Sequence, residues 1–158
     1  MTKECKKQFT LRIAQSNSTE LIVILYEMVL CYLDESNEAL EAGKEDDFRE
    51  GIRKSRGCLN ELMASLHMEY SPAKELLQLY LFCLRRLAQA EVKKKLESID
   101  EIKRVIRPLH DVYRQIASQN EQGPVMNNSQ IVYAGLTYGR NALTENMTDQ
   151  GTNRGMLV

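Results

Sequence analysis

One stretch of the chain, residues 21–33, is apolar on nearly every side of the helix that it would form. It contains a single charged residue, Glu27. A surface helix keeps one polar face, so a helix that is apolar all round must be covered from more than one side. The stretch is too short to cross a bilayer, which takes about 20 apolar residues. It therefore predicts a helix that other protein segments pack against from several directions.

A second stretch, residues 76–84, repeats the pattern with only Gln78 breaking a run of Leu, Tyr, Phe and Cys. A chain of 158 residues is long enough to form a core without a metal or a disulfide. It can hardly bury two such helices completely, however. We therefore expect part of this apolar surface to bind another protein.

The charge balance and the N-terminus narrow the classes of function. The 21 Lys and Arg residues nearly balance the 22 Asp and Glu residues, which argues against a general nucleic-acid binder. Lys3, Lys6 and Lys7 begin the chain, but no apolar core of a secretion signal follows them. We expect a cytoplasmic protein with no nucleic-acid partner, no membrane insertion and no cofactor.

The spacing of the cysteines is consistent with a cytoplasmic protein. Cys5, Cys31, Cys58 and Cys83 are far apart in sequence, without the C-x-x-C spacing of metal or redox motifs. Three of them fall within apolar helical stripes. We interpret them as reduced thiols, largely buried, in a cytoplasmic protein.

Capping signals divide the first half of the chain into two helices. Asn17 and Glu20 have the spacing of a capping box and predict a helix that runs to about residue 42, where Gly43 suits its end. A second helix is predicted to begin near Asp46 or Asp47, whose charges favour a helix N-terminus.

Two further helices are predicted in the second half. Ser71 as cap and Pro72 at the first helical position predict a helix to about residue 95. Ser98 and Glu101 form a second potential capping box and predict a helix to about residue 118. Pro108 lies inside that helix, where it should cause a kink or a break near residue 107.

Four helices with short connections predict an all-α, antiparallel four-helix bundle over residues 1–120. The N-terminal segment, residues 1–15, fits either an extended strand or a helix. Residues 121–158 form a polar tail, apart from an apolar and aromatic stretch that includes Tyr133, Leu136 and Tyr138. Those three side chains fit packing onto the bundle or docking to another partner, while disorder is the default for the rest.

The helical periodicity also indicates which apolar groups remain after the core is filled. Val23 and Leu30 lie beside the polar edge of the first long helix. Leu81 and Phe82 lie on opposite sides of the polar edge of the third. We expect these four to remain available to a partner.

Several short strings stand in a fixed order along residues 13–118. They are Asn17-Ser18-Thr19-Glu20-Leu21, Leu25-Tyr26, Leu33, Lys54, Glu61-Leu62-Met63-Ala64-Ser65-Leu66, Leu79-Tyr80, Leu84-Arg85-Arg86-Leu87, Ala90 and Asp111-Val112-Tyr113-Arg114-Gln115. This ordered set resembles the FliS family, the flagellin-specific export chaperones of bacteria. Four features depart from the family pattern. Ser18 replaces a proline, Phe9 is the nearest match to an N-terminal tyrosine, Pro108 is unusual, and the tail lies outside the shared part.

The resemblance implies a cytoplasmic helical bundle that binds the disordered C-terminal segment of flagellin. Such a chaperone prevents early polymerisation and presents flagellin to the flagellar export gate. In the family the N-terminal segment lies over part of the binding groove, which makes Phe9, Leu11 and Ile13 a candidate cover. Tyr133, Leu136 and Tyr138 of the tail are a second candidate cover.

Six residues are predicted to bind the client. These candidate groove residues are Val23, Tyr26, Leu30, Met63, Leu81 and Phe82. Met63 is included because its flexible side chain adapts to different partners. A homodimer remains open.

Two other classes of function compete with this one. A generic helical adaptor for another amphipathic client fits the same apolar helices.

A histidine phosphotransfer domain needs one exposed histidine, but His67 lacks the lysine and glycine neighbours expected there. A di-iron bundle needs Glu three residues before His, and those positions hold Ala64 and Arg107. No Cys–His catalytic pairing is indicated, so we expect a protein that is not an enzyme.

Overall fold

The structure, a computed structural model, describes residues 3–122. Within this range the chain is all-helical, with five helices and no strands. The helices are α1 (Lys3–Gln15), α2 (Ser18–Glu41), α3 (Glu45–Ala64), α4 (Ala73–Lys93) and α5 (Leu96–Gln122). Tyr133, Leu136 and Tyr138, the predicted tail contacts, lie outside the described residues.

The predicted ends of α2 are confirmed. The Asn17 side chain accepts a hydrogen bond from the Glu20 amide at 2.9 Å, and the Glu20 carboxylate accepts one from the Asn17 amide at 2.8 Å. This capping box satisfies two amides that the helix itself leaves unpaired. At the other end Gly43 adopts a φ of +71°, which suits a residue without a Cβ and turns the chain into α3.

The predicted starts of the last two helices are wrong in detail. At the start of α4, Pro72 is the capping residue and no side chain caps the helix, so Ser71 does not serve as cap. The last helix begins at Leu96 rather than Ser98, so Ser98 and Glu101 lie inside α5. Lys94 ends α4 in the left-handed conformation with a φ of 51°, which turns the chain at once and leaves room for α5 to begin early.

Pro108 does not break α5, which continues as one helix from Leu96 to Gln122. Of the predicted kink or break at this position, the break is therefore wrong. Proline removes the hydrogen bond to the carbonyl of Arg104. Arg104 and Pro108 are both exposed, so water can satisfy that carbonyl and the helix can continue.

The N-terminal segment is helical, which excludes the extended alternative for residues 3–15. Only Ser16 and Asn17 separate α1 from α2, and α1 folds back against α2.

Helix α2 packs against α3 and α5, while α4 packs against the same two helices from the other side. Helices α2 and α5 run antiparallel. Three contacts along the pair show this: Thr19 with Asn120, Glu27 with His110, and Asp34 with Lys103.

The core of the described part holds two tyrosines that are almost completely buried. Tyr26 of α2 and Tyr80 of α4 hydrogen-bond through their hydroxyl groups, and Tyr113 of α5 packs against the Tyr26 ring at 5.7 Å between centroids. Burial away from water raises the pKa of both Tyr26 and Tyr80. The pair therefore stays neutral and connects helices on opposite sides of the core.

Candidate functional site

The six candidate groove residues differ widely in exposure. Tyr26 is completely buried and Val23 is 6% exposed, so neither remains on the surface after the core is filled. Leu30, Met63 and Phe82 are half-buried, and Leu81 is exposed. The expectation that Val23 is left over is thus wrong, because it packs within the main core.

The structure does not bring the six together on one face. Helices α2 and α4 lie on opposite sides of the core, each between α3 and α5. Leu30 is on α2, between Glu27 and Asp34, which both contact α5. It therefore lies on the α5 side of α2, away from the surface of α4.

Leu81 and Phe82 lie on opposite sides of the exposed surface of α4. The Phe82 ring lies 5.2 Å from the guanidinium of Arg86, and Arg86 forms an ion pair with Glu101 of α5. Phe82 therefore faces the seam between α4 and α5, where Val105 and the exposed Val112 follow along α5 at helical spacing.

Leu81 belongs to the other seam of α4, beside α3. Ion pairs of Arg56 with Glu91 and of Lys94 with Glu45 show that α3 and α4 run antiparallel. This register places Met63 near the level of Leu81. Met63 and Leu81 therefore lie at a similar level along α3 and α4, and Leu81 and Phe82, predicted on opposite sides of the polar edge of α4, belong to two neighbouring apolar surfaces.

Helix α1 contributes no buried residue to the fold. Of its three candidate cover residues, Leu11 is 59% exposed and Ile13 is 38% exposed. Phe9 is half-buried and stacks against the guanidinium of Arg12 at 5.8 Å. A helix without a buried apolar face gains little from packing and is only weakly held.

An ion pair joins α1 to α2. The Arg12 guanidinium contacts the Glu27 carboxylate at 2.5 Å, and His110 of α5 approaches the other carboxylate oxygen at 3.4 Å. Burial raises the pKa of Glu27, but the hydrogen bond and charge of Arg12, with the contact to His110, outweigh it and hold that pKa below its usual range. The single charge in the apolar stretch of α2 therefore anchors α1, a role that sequence reasoning missed.

Beneath α1, the structure buries an apolar residue of α2 that is not part of the main core. Ile24 is 3% exposed, yet it does not belong to the cluster of core side chains. It lines a cleft together with Arg12 and Gln15 of α1 and Ala117 of α5. Helix α1 therefore borders an apolar part of α2, together with α5.

The other chemical groups considered from sequence have ordinary structural roles. His67 packs edge-on against Tyr70 with 6.0 Å between centroids, and His110 contacts Glu27 and Asp111. Across residues 3–122, no group of three or more His, Cys, Asp or Glu side chains is arranged to hold a metal ion. None of the described helices combines the length and apolar character needed to span a membrane.

Comparison with known proteins identifies the family. No curated protein matches the chain. The family model described as the flagellar protein FliS matches residues 1–120, which include α1 to α4 and nearly all of α5. The match covers most of the chain and agrees with the resemblance in the helix strings. The chain therefore belongs to the FliS family, a family of flagellin export chaperones.

Proposed function

We propose that this protein is a cytoplasmic export chaperone that binds the disordered C-terminal segment of flagellin. Bound in this way, flagellin cannot polymerise early and is presented to the flagellar export gate. Helices α2 to α5 serve as an antiparallel four-helix bundle, which the packing of each helix against two others supports. The function is binding, without catalysis.

The observation that carries the proposal is the weak attachment of α1 above an apolar surface. Ile24 is buried and lines the cleft between α1 and α2, while no side chain of α1 is itself fully buried. A client helix with a stronger apolar face can displace α1 and bury the same surface. In this proposal Phe9, Leu11 and Ile13 belong to a cover that is removed when flagellin binds.

The client contacts are proposed to extend from α2 to both seams of α4. Leu30, Met63, Leu81 and Phe82 contact the client directly, since each keeps exposed apolar surface. Val23 and Tyr26 support the surface from within, because their side chains are buried.

An extended set of apolar sites suits a client that arrives unfolded. Ordering a disordered segment on binding costs roughly 2–5 kcal/mol, so a large apolar area must be buried to offset it. An amphipathic segment that wraps around a helical protein presents apolar residues at helical spacing to successive seams. Separate sites on α2 and α4 therefore suit one long client better than a single pocket would.

The role of residues 121–158 is a separate proposal. If Tyr133, Leu136 and Tyr138 bind the client surface, truncation after Asn120 should tighten flagellin binding. Unchanged or weaker binding would argue against the tail as a competitor.

Calorimetric titration with a peptide of the flagellin C-terminal segment tests the proposed function. We expect binding with a sub-micromolar Kd and a large negative change in heat capacity, the sign of buried apolar surface. A scrambled peptide of the same composition is the control. If neither the full chain nor the chain truncated after Asn120 binds the native peptide, the proposed client is wrong.

A further inference from the structure

Two cysteines on facing helices lie in contact. The thiols of Cys5 on α1 and Cys31 on α2 lie in hydrogen-bonding contact. Both side chains are partly exposed, whereas Cys58 and Cys83 are buried. The Cys31 thiol also donates to Glu35 Oε1 at 3.9 Å. Two thiols from different helices thus meet within reach of solvent.

The register of α1 against α2 explains this contact. Cys5 precedes Arg12 by two helical turns on α1, and Cys31 follows Glu27 by about one turn on α2. Residues at these spacings share a helix face. The faces that meet in the ion pair of Arg12 with Glu27 therefore meet again at the two cysteines.

We propose that Cys5 and Cys31 form a redox modification site, at which a small-molecule disulfide converts the two thiols into a disulfide that fastens α1 to α2. Helix α1 has no fully buried side chain, and an ion pair of Arg12 contributes to its contact with α2. A covalent bond at Cys5 therefore changes the freedom of α1 far more than it would in a helix that belongs to the core.

The reaction is balanced thiol–disulfide exchange. The Cys5 thiolate attacks one sulfur of the small disulfide, breaks its S–S bond and releases one small thiolate. The Cys31 thiolate then attacks the Cys5 sulfur of the mixed disulfide and releases the second. The two protein thiols lose two electrons and two protons, which the small disulfide gains to become two thiols.

The surroundings of the two cysteines assign their order in this exchange. Burial, together with the nearby Glu35 carboxylate, raises the pKa of Cys31 to about 11. Cys31 is therefore a poor first nucleophile at neutral pH. Cys5 on the exposed helix reacts first, and Cys31, already in contact with it, resolves the mixed disulfide. Cellular thiols reverse the bond, which suits a transient signal in a reducing compartment.

Mass spectrometry of the full-length protein after incubation with oxidised glutathione tests the site. We expect the loss of two hydrogens and a peptide that links Cys5 to Cys31. Amide hydrogen exchange in α1 should slow after oxidation. The variants Cys5→Ser and Cys31→Ser should each form no such link. Glutathione adducts alone, a link between other cysteines, or unchanged exchange in α1 would overturn the proposal.

A second consequence rests on the proposed function. If α1 must leave for flagellin to bind, the oxidised protein should bind the flagellin peptide at least about tenfold more weakly, and a reductant should restore binding. The Cys5→Ser variant should bind equally well before and after oxidant. If reduced and oxidised protein bind equally, the disulfide does not control the client site. If the reduced protein does not bind at all, the proposed function fails, while peptide mapping and hydrogen exchange still decide the redox site.

Discussion

The guanidinium of Arg12 on α1 lies 2.5 Å from the carboxylate of Glu27 on α2. Glu27 is the single charge in the most apolar stretch of the chain, and it holds a helix that buries none of its own side chains. Partly exposed ion pairs contribute little to stability, roughly 0–1 kcal/mol. An anchor of this strength holds α1 in place and still permits a client to displace it.

Arg12→Ala should loosen α1 without unfolding the rest of the protein. We expect faster amide hydrogen exchange in residues 3–15, with almost no change in the melting temperature. Flagellin peptide should bind a few-fold more tightly, because the client must displace α1 and the lost ion pair contributes less than about 1 kcal/mol to holding α1 in place. Arg53→Ala is the matched control, since Arg53 pairs with Glu50 within α3. Identical exchange profiles for the two variants would show that Arg12 does not anchor α1.

Lowering the pH should detach α1 from α2. The pKa of Glu27 in the folded protein lies below its ordinary value of 4.5, so the pair contributes stability above about pH 4.5 and loses it as the pH falls through the folded pKa. NMR signals of Ile13 should shift towards those of an undocked helix in that window. Glu27→Gln should remove this pH dependence. An unaltered transition in the Glu27→Gln variant would assign the effect to other carboxylates.

The buried hydroxyl pair of Tyr26 and Tyr80 should behave as a coupled unit. Tyr26→Phe or Tyr80→Phe leaves one buried hydroxyl without its partner and should lower the free energy of unfolding by about 1–3 kcal/mol. The double variant should lose less than the sum of the two single losses, because no hydroxyl is then stranded. Urea unfolding of the four proteins measures this, and strictly additive losses would contradict the coupling.

Gly51 should be intolerant of even a methyl group. A Cβ at this position would lie 2.1 Å from Ser36 Oγ and 3.0 Å from the backbone oxygen of Tyr32, both on α2. Gly51→Ala should therefore destabilise the protein by about 1–3 kcal/mol. Gly57, on the same helix, has open space around its Cβ position, so Gly57→Ala should stabilise it by about 0.5–1 kcal/mol. Thermal melts of both variants check the contrast, and equal effects would contradict close packing of α2 on α3.

Charged substitutions on α4 test whether its two seams bind the client. Leu81→Asp or Phe82→Asp should abolish binding of the flagellin peptide, because the carboxylate cannot replace the lost apolar contact and loses its hydration against the client. The circular dichroism spectrum should stay helical. Val92→Asp is the matched control on the same helix, where Val92 is 82% exposed. Retained binding in either of the first two variants would exclude that seam from the client site.

Local sequence signals were reliable where a few neighbouring residues decide the structure. The capping box of Asn17 and Glu20 and the glycine at residue 43 fixed both ends of α2. At residue 98 the same capping logic failed. Lys94 adopts a left-handed conformation that ends α4 abruptly, and α5 begins before the capping residue is reached.

Helices α2 to α5, their approximate bounds and the apolar excess on two of them were determined by the sequence itself, because helical periodicity and capping depend on residues a few positions apart. The tertiary structure alone decided which apolar residues stay exposed. It buried Val23 and Tyr26, left Leu81 exposed, and placed α1 over Ile24. Those outcomes depend on which helix packs against which face. The contact of Arg12 with Glu27, for example, joins residues on different helices, and no local sequence pattern predicts it.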